Sequence, residues 1–236
     1  MISPAPISAE SNLESHCSEG PFRVEPRRKT ARLVLVLITL VWATLVGSGL
    51  WWLWSYENAP GRAAMPPEQW PANSRIQLAH AEATLVMLAH PHCPCTRASI
   101  GELARIMAHS QGRLRAYVLF IKPAGTADDW EATDLWESAS DIPGVTVVQD
   151  SDGIEAHLFN AATSGQTLLY NTQGRLLFSG GITGSRGHFG DNAGESAIVA
   201  IVNAAVPERT QTSVFGCPLF DSHSECLVSI DEKTNH

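Results

Sequence analysis

Residues 85–95 read Leu-Val-Met-Leu-Ala-His-Pro-His-Cys-Pro-Cys, and a run with helical apolar spacing begins at Thr96. The apolar stretch is typical of a buried strand, which delivers two cysteines to the start of the next helix. Pro94 suits the first helical position because its missing N–H costs nothing there, and this predicts Cys93 as the N-cap residue. The segment therefore predicts a strand–turn–helix unit with two thiols, Cys93 and Cys95, at its junction.

The start of a helix favours the reactive form of these two thiols. Unpaired amides and the helix dipole stabilise an anion there, and a cysteine attacks a disulfide or binds a metal only as its thiolate. His90 and His92 flank the pair, and a protonated imidazole nearby would lower a thiol pKa further. We interpret the cysteines as candidate redox residues. The alternatives are buried or structural metal-binding cysteines and, for the histidines, solvated loop positions.

A second feature is a stretch of 22 uncharged residues, Leu33–Trp54, which as a helix would span about 33 Å. Four basic residues lie just before it, and only Arg62 carries positive charge in the twenty residues after it, so the positive-inside rule places the N-terminus in the cytoplasm. The stretch exceeds the apolar region of a cleaved signal peptide, about 7–15 residues. We predict a single-pass anchor in the cytoplasmic (inner) membrane, with the following domain facing the periplasm.

The predicted domain organisation follows from this anchor and from the proline content after it. It comprises a disordered cytoplasmic tail (1–30), the transmembrane anchor (31–55), a Pro-rich spacer (56–74), one globular domain (75–206) and a cysteine-containing C-terminal tail (207–236).

Charge and cysteine usage narrow the function classes. From Ser55 onward there are 11 Lys and Arg against 20 Asp and Glu, a net charge of −9, and this acidity argues against a nucleic-acid partner. Four of the five cysteines follow the anchor, where disulfides can persist. Four cysteines allow three pairings, and the sequence does not choose among them.

Strand-like and helix-like patterns alternate after the spacer, which predicts an α/β domain with a central sheet covered on both faces. Asn171–Gly174 between two strand-like runs predicts a hairpin. The predicted strands are Thr84–Ala89, Leu114–Ile121, Val145–Val148, Gln166–Tyr170 and Arg175–Ser179, and the predicted helices are Thr96–Ser110, Asp128–Ser140, Asp152–Asn160 and Glu195–Ala205.

This element order resembles a thioredoxin-like fold with an inserted strand and helix, as in TlpA-like, peroxiredoxin-like and Sco-like proteins. The segments 148–159 and 166–174 resemble the insert helix and closing hairpin of that branch. The sequences Cys93-Pro-Cys-Thr-Arg97, Gly180–His188 and Phe215-Gly-Cys217 together resemble membrane proteins of the RedB group. The resemblance implies a thioredoxin-like domain over roughly residues 75–205, preceded here by one transmembrane helix.

Two departures from thioredoxins bear on the chemistry. Thioredoxins separate their cysteines by two residues, whereas Pro94 alone separates Cys93 from Cys95. Thioredoxins also place a cis-proline before the first hairpin strand, and the matching position here is Gln166. Because a cis bond before a non-proline residue costs about 3–4 kcal/mol, we expect a trans bond there, with the Gln166 side chain near the sulfurs.

Three functions fit these residues. The first is thiol–disulfide exchange with a protein dithiol or disulfide partner, in which Cys93 attacks and Cys95 resolves the mixed disulfide; it needs no cofactor. The second is Cu(I) binding by His92, Cys93 and Cys95, since soft thiolates and imidazoles select this ion. The third, a peroxiredoxin-like peroxidase, lacks the threonine that peroxiredoxins carry three residues before the attacking cysteine.

Two later segments carry further candidate residues. The glycine-rich stretch Gly180–Gly194 lacks the ending of a phosphate-binding loop. By the resemblance it borders the active site, where Gly180 and Gly181 would let a partner backbone approach closely and Arg186 or His188 would reach the cysteines. The alternative is a flexible surface loop. Cys217 and Cys226 either close a structural disulfide or exchange with the first pair.

Overall fold

The computed structural model describes residues 26–62 and 64–220. The chain divides into two compact units, one ending at Trp51 and the other beginning at Trp52. The elements in chain order are α1 (Pro26–Glu57), β1 (Ala83–Ala89), α2 (Pro94–His109), β2 (Leu114–Lys122), α3 (Asp134–Ser140), β3 (Val145–Ser151), α4 (Ile154–Leu158), β4 (Gln166–Tyr170), β5 (Leu176–Gly180) and α5 (Ala193–Val202).

Helix α1 contains the stretch predicted as an anchor. Its portion Arg28–Glu57 is 30 residues long and apolar enough to cross a membrane, and it is the one such helix among the described residues. Its large apolar side chains are exposed throughout, whereas a core helix of a soluble protein buries such side chains.

The second unit contains a five-stranded sheet in the order β3-β2-β1-β4-β5. Strand β1 is parallel to β2, and β2 is parallel to β3, whereas β4 is antiparallel to both β1 and β5. The predicted hairpin over Asn171–Gly174 is confirmed, because β4 and β5 pair on either side of it. Gly174 has a φ of 76°, which a glycine adopts without strain.

The sheet is buried on both faces, as the alternation of helices and strands predicted. Leu85 and Met87 of β1 contribute to one core with residues of α2, α3 and α5. Val86 and Leu88 point to the opposite face and contribute to a second core with α4 residues and Phe159. The central position of β1 holds its C-terminal end, and therefore the loop to α2, in a fixed place.

All four predicted helices have different bounds, and α2 differs least, covering Pro94–His109 where Thr96–Ser110 was predicted. The helix predicted over Asp128–Ser140 begins only at Asp134, because residues 127–133 form successive turns after β2. Helix α4 covers Ile154–Leu158 alone, since Asp152 and Asn160 adopt positive φ on either side of it. Helix α5 begins at Ala193, where the side chain of Asn192 accepts a hydrogen bond from the amide of Glu195, and it ends at Val202.

The segments on either side of the sheet domain pack against it. In the predicted spacer, the amide of Trp70 donates to the carbonyl of Gly174, and the Trp70 ring packs edge-on against Phe159 and Tyr170. After α5, residues 210–212 pair with Ser179 at the end of β5. The chain beyond α5 is thereby led back toward the end of the sheet where α2 begins.

Candidate active site

Cys93 occupies the N-cap of α2, as predicted, with Pro94 in the first turn. Its backbone is extended (φ −85°, ψ 118°), which is the conformation that a following proline favours. The carbonyl of Cys93 accepts a hydrogen bond from the amide of Thr96, so the first turn of the helix is closed. The Cys93 side chain is only 1% exposed, whereas that of Cys95 is partly exposed.

A third thiol, that of Cys217, lies beside Cys93. The Sγ atoms of these two cysteines are 2.9 Å apart although they are separated by 124 residues in sequence. Cys93, Cys95 and Cys217 are all free thiols in this structure. Cys226, the predicted partner of Cys217, lies outside the described residues.

The C-terminal segment that carries Cys217 is held by backbone hydrogen bonds. The carbonyl of Cys217 accepts from the amide of Ser164 at 2.8 Å, and the amide of Leu219 donates to the carbonyl of Ala162 at 2.9 Å. Leu219 is buried in the second core. Residues 217–219 therefore form a docked strand-like segment along the loop that precedes β4.

Gly216 allows this docking. A Cβ atom at position 216 would overlap the carbonyl oxygen of Ser164, so only glycine fits between the two backbones. Gly181 has a similar role, since its Cβ would lie 2.6 Å from the carbonyl oxygen of Ser213. The sequence predicted that a partner backbone would approach Gly181 closely, whereas in the structure the backbone beside it is the chain's own C-terminal segment.

Hydrogen bonds set the ionisation of the three thiols. Burial raises the pKa of Cys93, but hydrogen bonds from the Cys217 thiol, the amides of Cys217 and Cys95 and the Thr96 hydroxyl outweigh it, so the net shift is downward. Burial and the hydrogen bond to Cys93 raise the pKa of Cys217 to about 12. Burial and the neighbouring charge of Cys93 also raise the pKa of Cys95. Cys93 is therefore the thiol of the three whose pKa is lowered, and it ionises before Cys95 and Cys217.

Arg186 provides the positive charge of this cluster. It lowers the pKa of Cys95 and of Cys217, in each case against the stronger effect of burial. Its Nη1 donates to the carbonyl of Gly216 at 2.5 Å, and its guanidinium lies 5.1 Å from the centre of the Tyr56 ring. His188 is exposed, with its Nδ1 3.2 Å from the carbonyl oxygen of Arg186.

The glycine-rich loop that carries Arg186 is tied to α2. The buried carboxylate of Glu102 accepts a hydrogen bond from the amide of Gly190 at 2.7 Å. Arg105 lies between Glu102, Asp191 and Glu195, at 3.1 to 3.4 Å from their carboxylate oxygens. These contacts connect the C-terminal end of the loop to α2, the helix capped by Cys93.

The two histidines lie beside Trp130. The rings of His92 and Trp130 are 4.2 Å apart and nearly perpendicular, and those of His90 and Trp130 are 6.1 Å apart. The amide of His92 donates to Nδ1 of His90, so that nitrogen is unprotonated in this arrangement. Trp130 reaches this position because residues 127–133 form turns and not a helix.

The loop before β4 connects the cysteine segments to each other. The Ser164 hydroxyl accepts from the amide of His90 and lies 2.9 Å from the Thr96 hydroxyl. The peptide bond before Gln166 is trans, as expected, and Gln166 is buried. Its Oε1 accepts a hydrogen bond from the amide of Ala162, which directs the side chain to the loop backbone.

Within the described residues, no group of three or more His, Cys, Asp or Glu side chains is arranged to hold a metal ion. His92, a predicted Cu(I) ligand together with Cys93 and Cys95, has its ring against Trp130.

The strand order and directions, with Cys93 at the start of α2, define a thioredoxin-like fold. A hypothetical protein from Sinorhizobium meliloti is 18% identical over 68% of this chain and 93% of its own, with a TM-score of 0.51. An uncharacterized protein from Geobacillus kaustophilus is 16% identical over 70% of this chain and 93% of its own, with a TM-score of 0.52. A pneumococcal exposed lipoprotein thioredoxin from Streptococcus pneumoniae is 14% identical over 60% of this chain and 99% of its own, with a TM-score of 0.40.

Neither the protein-family models nor the curated proteins give a match to this chain. The similarity to the first two structures supports the fold, and the chemistry of the site is argued from its own residues.

Proposed function

We propose that this protein is a membrane-anchored thiol–disulfide oxidoreductase in which Cys93 is the attacking sulfur. The observation that carries the proposal is the position of Cys93 at the N-cap of α2, where several hydrogen-bond donors lower its pKa. A thiol with a lowered pKa is partly ionised near neutral pH, and the thiolate is the nucleophile in disulfide exchange. The partner is a protein that carries a dithiol or a disulfide.

The first chemical step follows from this assignment. The Cys93 thiolate attacks one sulfur of a partner disulfide, a mixed disulfide forms, and the other partner sulfur leaves as a thiolate that takes up a proton. Cys95 and Cys217 are partly exposed, so they mark the side from which a partner approaches the buried Cys93. The sequence prediction assigned the second, resolving step to Cys95.

The location forms part of the proposal. Helix α1 anchors the chain in the cytoplasmic membrane, with the N-terminus inside and the sheet domain in the periplasm, since the basic residues just before its apolar stretch Leu33–Trp54 outnumber those just after that stretch. This location and the resemblance to the RedB group both suit a thiol enzyme that acts outside the cytoplasm.

Reporter fusions test the orientation. Alkaline phosphatase, which folds only where disulfides form, is expected to be active when fused after His236. The same reporter fused after Arg32 is expected to be inactive because this position precedes the membrane-spanning stretch. Activity of a cytoplasm-only reporter after His236 would contradict the orientation.

Alkylation rates test the identity of the nucleophile. In the reduced full-length protein, Cys93 is expected to react with iodoacetamide faster than Cys217 at pH 7, because the pKa of Cys93 is lowered and that of Cys217 is raised to about 12. The alkylation rate of Cys93 should fall only when the pH drops below the lowered pKa of this thiol. Peptide-resolved mass spectrometry measures each alkylation rate. The same measurement in partially unfolding urea is the control, because it shows how burial affects the rate at each cysteine.

The copper hypothesis predicts a different outcome of the same measurements. It predicts that the wild-type protein binds a single equivalent of Cu(I) and has no disulfide reductase activity, and that Cys93→Ser and Cys95→Ser both lose the Cu(I) binding. This result would favour metal delivery over disulfide exchange as the function. An alkylation rate of Cys93 no higher than that of an ordinary thiol would also contradict the proposed function.

A further inference from the structure

The C-terminal segment brings a third cysteine to the site, and nothing in the sequence chose between its pairings. We propose that the reversible disulfide of this protein joins Cys93 to Cys217, and that Cys217 is the resolving thiol. This inference rests on the proposed function. It assigns to Cys217 the step that the sequence prediction assigned to Cys95.

The geometry favours Cys217 over Cys95 as the partner of Cys93. The Cys93 and Cys217 sulfurs are already 2.9 Å apart and approach from two different segments, so bond formation needs them to close by roughly 1 Å. Cys93 and Cys95 are separated only by Pro94, whose ring fixes the backbone at the first turn of α2. A disulfide requires particular Cα and Cβ separations and a dihedral angle near 90°, which a ring closed across a single helical residue does not readily provide.

The backbone around Cys217 keeps its thiol in place. The amide of Cys217 is directed to the Cys93 sulfur, and its carbonyl accepts from Ser164. Ser164 also contacts the Thr96 hydroxyl, and Thr96 in turn donates to the Cys93 thiol. Gly216 is held on its other side by Arg186. Contacts between the segment of Cys93 and the segment of Cys217 therefore hold both thiols in place, as a preorganised redox pair requires.

The ionisation of the pair suits an attack followed by resolution. In the reduced protein, the Cys217 Sγ lies 2.9 Å from the Cys93 Sγ, and this contact lowers the pKa of Cys93 and raises that of Cys217. Once Cys93 has formed a mixed disulfide with the partner, its negative charge is gone, and one cause of the raised pKa of Cys217 is removed.

The electrons and protons of the resolving step then balance. The Cys217 sulfur attacks the Cys93 sulfur, the Cys93–Cys217 bond forms, and the bond from Cys93 to the partner breaks. The released partner sulfur takes the proton that Cys217 loses, so the partner disulfide becomes two thiols while Cys93 and Cys217 become one disulfide. A dithiol of a second protein partner returns the pair to its reduced form by the reverse steps.

Cys217 also covers the nucleophile. Cys93 is 1% exposed, and the segment containing Cys217 packs directly beside it. Displacement of this segment gives a partner sulfur a path to Cys93. Cys95, beside Arg186, is a spectator of this exchange and not its resolving residue.

Disulfide mapping of the full-length protein tests the pairing. The protein is oxidised mildly with diamide and then digested without reductant. We expect a linked Cys93–Cys217 peptide in the wild-type protein and in Cys95→Ser, and none in Cys217→Ser. A Cys93–Cys95 or Cys217–Cys226 disulfide in the wild-type protein, with no Cys93–Cys217 link, would overturn the inference and leave the proposed function intact.

Trapping of the mixed disulfide tests the resolving role of Cys217 separately from the proposed thiol–disulfide exchange. With a 5-thio-2-nitrobenzoate disulfide as the partner, Cys217→Ser is expected to retain one labelled thiol on Cys93, while Cys95→Ser releases the label as the wild-type protein does. The reverse pattern would make Cys95 the resolving residue. Absence of label on Cys93 in all three proteins, with no release of thionitrobenzoate from any of them, would contradict the proposed function itself.

Discussion

Substitution of Cys93 by serine is expected to abolish disulfide reduction by this protein. A serine hydroxyl is not ionised near neutral pH and forms no mixed disulfide, so neither Cys95 nor Cys217 can complete the exchange. In an insulin-reduction assay with glutathione as the electron donor, the rate is expected to fall to that of glutathione alone. The measurement uses the full-length protein in detergent, so that the apolar helix α1 stays shielded.

The matched control is Cys17→Ser. Cys17 precedes the apolar helix and lies outside the described residues, and its removal is expected to leave the insulin-reduction rate unchanged. A Cys93→Ser variant that keeps most of the wild-type rate would show that another thiol attacks the substrate. The pH profile adds a second test, because an attacking thiol with a lowered pKa keeps its rate to a lower pH than an ordinary cysteine does.

Substitution of Gly216 by alanine is expected to destabilise the protein and to separate Cys217 from Cys93. The added methyl group would overlap the Ser164 carbonyl oxygen, a backbone atom that cannot rotate out of the way as the end of a side chain can. Overpacking of this kind costs about 1–3 kcal/mol in the free energy of unfolding. Urea denaturation followed by tryptophan fluorescence measures that loss, and the yield of the Cys93–Cys217 crosslink is expected to fall with it.

The control for this prediction is Gly184→Ala in the glycine-rich loop. An added Cβ at Gly184 meets nothing within 4 Å, so the same chemical change is expected to alter neither stability nor crosslinking. If Gly216→Ala unfolds at the wild-type urea concentration and crosslinks as fast, then the close contact between Gly216 and Ser164 does not position Cys217.

The sequence by itself determined the local architecture of the site. The continuous apolar run of β1, the proline after Cys93 and the helical apolar spacing from Thr96 are short-range properties, and they predict a strand, an N-cap and a helix in that order. The same holds for the hairpin at Asn171–Gly174 and for the long apolar helix. Each depends on neighbouring residues, whose conformational preferences can be read along the chain.

Only the tertiary structure decided which distant groups join the two cysteines. Cys217, Arg186 and Trp130 reach the site because the C-terminal segment, the glycine-rich loop and the turns after β2 pack around the start of α2. No periodic pattern encodes such packing, since it depends on which backbones can approach each other. The clearest case is Gly216, whose missing side chain admits the Ser164 carbonyl and so places a thiol 124 residues away beside Cys93.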